Sequence, residues 1–167
     1  LAGVSIDPSA SLVRGVALEL ERIAIHLASV TGLAGDIAFL QGASTYGRLR
    51  TAIINASMRA CGSRFGRGWL RPGGVRFGLN AERRTDLTNT LAAFAKDLAE
   101  INALMRSART VSPRLQGIGQ LSASAAQDLG LWGLAARASG LAVDTRACLP
   151  GKLYESFPVE EQTESSR

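Results

Sequence analysis

Leu12, Val16, Leu20, Ile23, Leu27 and Val30 fall within about 80° of one another when the chain is wound at about 100° per residue, so this stretch is predicted to be a helix with one apolar stripe to bury. Thr45–Ala60 repeats the pattern, with Leu49, Ile53, Ile54 and Ala60 inward and arginines outward. A third helix is predicted from Asn80, as its cap, to about Arg109, with Leu87, Leu91, Phe94, Leu98, Ile101 and Met105 at helical spacing. Long stripes in a chain of 167 residues are buried most simply against one another. The expected fold is mainly α: an antiparallel helix bundle, with a Gly/Arg-rich loop or short hairpin between helices. Residues are 46% hydrophobic but only 5% aromatic, so the packing must rely on Ala, Leu, Ile and Val.

The punctuation is local. Asp7-Pro8 reads as an N-cap followed by proline at the first helical position. Thr31-Gly32 and Gly35 are expected to loosen or end the first helix, and Gln41–Ser44 to break the chain before the second. Ser112-Pro113 closes the third helix, and Ser122–Leu129 reads as a short fourth helix stopped by Gly130. One helical domain over 1–157 and a polar tail over 158–167 are expected. A chain that opens on Leu1 and ends in Glu160-Glu-Gln-Thr-Glu-Ser-Ser-Arg167 is expected to be the central piece of a longer protein.

Between the second and third helices lies Cys61-Gly-Ser-Arg-Phe-Gly-Arg-Gly-Trp-Leu-Arg-Pro-Gly-Gly-Val-Arg-Phe-Gly-Leu79, which holds six glycines and four arginines. Pro72-Gly73-Gly74 suits a tight turn, since proline presets φ and glycine accepts positive φ after it. Arg64 and Arg71 are expected to brace this turn against a carboxylate or carbonyl. From Asp36 to Glu82 no acidic residue intervenes, while seven arginines do (48, 50, 59, 64, 67, 71 and 76). That one-sidedness fits a nucleic-acid footprint, an acidic protein partner, a pocket for an anionic group, or a plain solvated face.

Other side chains carry chemistry by spacing. Glu19, Arg22 and His26 can touch along one helix face, as a surface ion pair with a neighbouring histidine or as a proton-transfer group. Asp36, alone among apolar neighbours, either caps a helix or sits in a pocket that raises its pKa. Small residues flank Arg137, with Asp144 and Arg146 shortly after. Cys61 and Cys148 are far apart, and with one histidine they assemble no zinc or iron–sulfur site from within the chain. No apolar run is long enough to cross a membrane as a helix, and Leu1–Ala10 lacks the basic start of a signal peptide. No phosphate-binding glycine loop, dinucleotide fingerprint or serine–histidine signature occurs.

Six pieces in register carry a family resemblance: Leu18-Glu-Leu-Glu-Arg-Ile-Ala-Ile-His-Leu27, Asp36 with Arg48 after it, Gly62-Ser-Arg64, Arg71-Pro-Gly-Gly-Val75, Gly117-Ile-Gly119, and Arg137-Ala-Ser-Gly140 followed by Asp144 and Arg146. From about residue 3 to 157 the chain resembles the middle of the large subunit that nickel–iron hydrogenases share with NADH-quinone oxidoreductase, respiratory complex I. Leu18–Arg22, Asp36–Phe39 and Arg71–Gly74 look closer to the membrane-bound formate-hydrogenlyase type; the quinone branch stays open.

The resemblance implies a helical wall of a cavity that receives a nickel–iron centre or a quinone headgroup, next to an iron–sulfur small subunit. Asp36 would line that cavity, and Arg71 and Arg137 would support the bound group. Glu19, Arg22, His26, Arg48, Arg64, Gly73, Gly74, Asp144 and Arg146 would be structural or interface residues. The family's ligand loops would lie outside 1–167, so this piece would bind no metal or cofactor itself and be inactive alone, within an enzyme that is an oxidoreductase complex. It would sit in the cytoplasm, held to the inner face of the membrane by partner subunits, with no nucleic acid. The competing expectation is a non-enzymatic basic module binding nucleic acid or an acidic partner.

Overall fold

The computed structural model describes residues 5–148 and 152–158. Two compact units make up the chain, divided between Leu115 and Gln116.

In the first unit, α1 (Pro8–Asp36), α2 (Leu40–Cys61) and α3 (Ala81–Ser107) are the long helices. Asp7 caps α1, its carboxylate accepting from the amides of Ser9 and Ala10, and Asn80 caps α3 by accepting from Arg83 N. Neighbouring helices run antiparallel. Val13 packs with Ala60 while Gly47 faces Thr31, so α2 descends as α1 rises. Arg59 pairs with Asp86, Arg48 with Asp97 and Tyr46 with Asn102, so α3 returns along α2.

The seam has a beat of seven. Val13, Leu20, Leu27 and Ala34 are the buried line of α1, and Leu87, Phe94 and Ile101 that of α3, with Tyr46, Leu49, Ile53 and Ala56 between them. Each fully buried aliphatic side chain stabilises this core by about 1.5–3 kcal/mol. The stripe expected from sequence holds at Leu20 and Leu27, which are buried; Val16, Ile23 and Val30 pack beside the buried line, Val13 and Ala34 extend it, and Leu12 is exposed. Spacing alone does not fix which edge of the stripe meets the neighbour. Tyr46 keeps its hydroxyl satisfied by donating to Asn102 Oδ1 at 2.8 Å, and burial pushes its pKa up.

The break between α1 and α2 corrects the sequence expectation. Gly32 and Gly35 stay inside α1, and Gln41–Ser44 inside α2. The chain turns instead at Ile37–Phe39, where Ala38 takes φ +60° and Phe39 N donates back to Ala34 O at 2.7 Å. A left-handed residue ends a helix whether or not it is glycine, but for alanine it costs roughly 1–2 kcal/mol. Ala38→Gly is expected to raise the unfolding free energy by about 0.5–1 kcal/mol in urea denaturation, relief of strain outweighing the extra freedom of the unfolded chain.

Between α2 and α3, β1 (Leu70–Arg71) and β2 (Gly74–Val75) form the expected short hairpin, pairing Leu70 with Val75 and Arg71 with Gly74. α4 (Ser112–Leu115) ends the first unit. The second unit holds α5 (Ala123–Asp128), capped by Ser122, then α6 (Gly133–Ala138), α7 (Thr145–Cys148) and α8 (Lys152–Ser156). The polar tail expected over 158–167 lies outside the described residues except for Pro158.

Candidate functional site

Three places carry the residues singled out by sequence. The first is the hairpin. Pro72 and Gly73 are its central residues, Gly73 at φ +79° as the turn requires. Its flanking carbonyls are claimed by α1: Arg14 Nη1 donates to Arg71 O at 3.2 Å and to Gly74 O at 3.1 Å. Trp69 pins the hairpin from inside, 2% exposed against Val13 and Ala60, with its indole N–H donating to Phe77 O at 3.0 Å. The brace expected from Arg64 and Arg71 is therefore supplied by Arg14, and Arg71 takes part through its carbonyl. The side chains of Arg64, Arg67, Arg71 and Arg76 are exposed. Arg64 and Arg67 lie over the ring of Phe65, and Arg76 over that of Phe77, so the loop presents guanidinium groups laid on aromatic faces.

The second place is the far end of α1. Asp36 is its last residue, and its side chain is exposed. The capping alternative fails: Asp36 closes α1 at its C-terminal end, where the dipole of that helix disfavours an anion, and α2, which starts at Leu40, has no side-chain cap. Arg114 donates to Ile37 O beside it, tying α4 to this corner. Arg48 pairs with Asp97 across to α3 at 2.7 Å, on the surface. Glu19 and Arg22 form the expected i,i+3 pair at 3.5 Å, and His26 is exposed further along the same helix. From Arg14 at the hairpin to Asp36, α1 rises roughly 33 Å at about 1.5 Å per residue. Asp36 and the hairpin are thus not brought together, and one small bound group does not reach both.

The third place lies in the second unit. Asp144 is 3% exposed and accepts from two arginines: Arg146 reaches both carboxylate oxygens, Nε to Oδ1 at 3.1 Å and Nη2 to Oδ2 at 2.8 Å, and Arg137 Nη1 reaches Oδ2 at 2.9 Å. The Arg146 amide adds a fourth bond at 2.9 Å. These bonds, those of Arg146 first, hold the Asp144 carboxyl well below its ordinary value of 3.8. Arg146 also lies over the ring of Tyr154. Two guanidinium groups on one carboxylate leave one net positive charge, and the small residues Ala136 and Ser139 on either side of Arg137 are buried.

Among the described residues no three His, Cys, Asp or Glu side chains form a metal cluster. The Cys61 thiol donates to backbone carbonyls of Ser57 and Ser63, and Cys148 is exposed in the other unit. Two lone thiols, one in each unit, do not fit a nickel–iron centre held by two cysteine pairs. Arg14, Trp69 and Tyr46 had no signature in the sequence, because their partners lie 8 to 60 residues away.

Comparison with known proteins points one way. The model of the family described as respiratory-chain NADH dehydrogenase, 49 Kd subunit, matches residues 36–166. A NADH-quinone oxidoreductase subunit of Thermosipho melanesiensis is 30% identical over 160 residues, covering 96% of this chain and 44% of that protein. The corresponding NADH-quinone oxidoreductase subunit of a Ruegeria species is 32% identical over 157 residues, covering 94% and 39%. The chain therefore spans about two fifths of the length of the relatives it matches. A chain in the structure of a membrane-bound sulfane sulfur reductase, described as an archaeal respiratory membrane complex, superposes with TM-score 0.87 at 23% identity, over 95% of this chain and 43% of that one. That likeness is one of fold.

Proposed function

The chain belongs to the 49 kDa subunit family of the respiratory-chain NADH dehydrogenase, and from that premise we propose that it works as part of the redox large subunit of a membrane-attached oxidoreductase complex, walling the cavity where an electron acceptor is protonated. Partner subunits, an iron–sulfur small subunit among them, supply the electrons and hold the chain at the inner, cytoplasmic face of the membrane. Among the described residues no helix is long and apolar enough to cross a membrane. Of the two branches left open by the motifs, the matched family is the respiratory one, which favours a quinone as the acceptor.

The observation that carries the proposal is Asp36: a carboxylate at the C-terminal end of a long helix, exposed, in a corner fixed by the Arg114 bond to Ile37 O. Such placement opposes the dipole of α1 and adds nothing to packing, which leaves the carboxylate free to act on a bound group. A quinone, when bound, would supply the two-electron chemistry. Asp36 would hold or pass a proton at its carboxylate oxygens, and the chain alone would be inactive. The basic-module alternative loses its footing on the family match, which is to a subunit of a respiratory enzyme. Asp36→Asn in the assembled complex is expected to lower quinone-reductase turnover by about 100-fold, with subunit composition unchanged. Wild-type turnover would refute the role of Asp36.

A further inference from the structure

We propose that the groove between α1, α2 and the loop after Gly62 is the docking site for a segment of another subunit, one that presents aliphatic side chains around a single carboxylate. The inference rests on the subunit reading above and goes beyond it in naming a surface and the chemistry of what covers it. The groove encloses about 470 Å³. Its floor is apolar and closed, with Leu20 and Trp69 buried beneath. Its rim is apolar and open: Leu18, Ile25, Phe65 and Leu70 are 44–71% exposed. Single apolar residues on a surface are ordinary, but four around one concavity mark a contact surface.

Charge selects the occupant. Arg50 lines the groove, and its Nε is buried without a hydrogen-bond partner among the described residues. A buried donor of a charged group is normally paired, so an acceptor is missing from this wall. Arg64 and Glu21 also line the groove, which leaves two cations against one anion. A carboxylate flanked by aliphatic side chains answers both the unpaired Nε and the excess charge, while filling the apolar floor. A small amphiphile meets the charge but leaves the exposed rim in water, whereas ligand sites for small molecules cover most of their ligand.

The test places a benzoylphenylalanine photo-crosslinker at position 25, in place of Ile25, in the full-length protein within the purified complex, with position 100, in place of Glu100 on α3, as control. Irradiation is expected to join position 25, and not position 100, to a peptide of another subunit that carries Asp or Glu within one helical turn of aliphatic residues. Arg50→Gln is expected to lower the yield of that adduct by about ten-fold. In an intact complex, an adduct to lipid, an adduct to another part of the same chain, or no adduct at position 25 overturns the docking site and leaves the function proposed above standing. Failure of any other subunit to co-purify overturns both.

Discussion

Asp144→Ala is expected to lower the local stability of the Arg137–Arg146 segment by about 3 kcal/mol, at the lower end of the range for breaking a buried ion pair. The carboxylate is nearly inaccessible, whereas its arginines keep 15% and 19% of their side-chain surface, so water softens the loss without removing it. Removing Asp144 leaves two guanidinium groups facing one another and withdraws the acceptor of four hydrogen bonds. Hydrogen exchange of the amides from 137 to 146 reads the effect directly, because the second unit is compact by itself and need not unfold with the first. The sign of the pH dependence follows from the depressed pKa. The folded carboxyl titrates below the unfolded one, so its stabilisation is complete above the ordinary value of 3.8 and drains away as pH falls from there through the folded value. Protection in the wild-type segment should therefore decline on acidification below about pH 4, and the alanine variant should lack that component. Unchanged protection in the variant at neutral pH would mean that the three side chains do not hold this segment.

Trp69→Ala is expected to destabilise the first unit by about 3–5 kcal/mol. The loss combines a large cavity against Val13 and Ala60 with an unpaired Phe77 carbonyl, and it frees the hairpin that Arg14 holds from the other side. Trp69→Phe keeps part of the volume but not the N–H donor, and should cost about 1–3 kcal/mol. Guanidinium unfolding followed by far-ultraviolet circular dichroism separates the two, since α1 to α3 supply most of the helix. A loss under about 1 kcal/mol for the alanine variant would show that the indole is not what fastens the hairpin.

What sequence conveyed depended on distance along the chain. Asp7-Pro8, Asn80 and Ser122 were readable as caps because a cap is made by residues two or three apart, and the Pro72-Gly73 turn for the same reason. The grouping of Arg137, Asp144 and Arg146 was visible as nearness, though their sharing of one carboxylate was not. Ala38 escaped notice because a left-handed helix stop is written in glycine often enough that Gly32 and Gly35 drew the expectation instead. Arg14 reaches carbonyls 57 and 60 residues on, and Arg50 shows its meaning only through an absent acceptor; neither leaves a local trace. For Asp36 the residue was legible and its surroundings were not: the apolar neighbours in sequence belong to two helix ends and a turn, and the carboxylate itself faces outward.

The seven-residue beat of Val13, Leu20, Leu27 and Ala34 limits how this protein can change length. One residue inserted between Leu20 and Leu27 would rotate everything beyond it by about 100°, carrying Asp36 away from its corner while Arg14 stayed fastened to the hairpin. A whole extra heptad would restore the phase but lengthen α1 by about 10 Å, and α2 would need a matching heptad to keep pace. Insertions and deletions here are therefore quantised and paired, and the span of α1 acts as a ruler between its two ends.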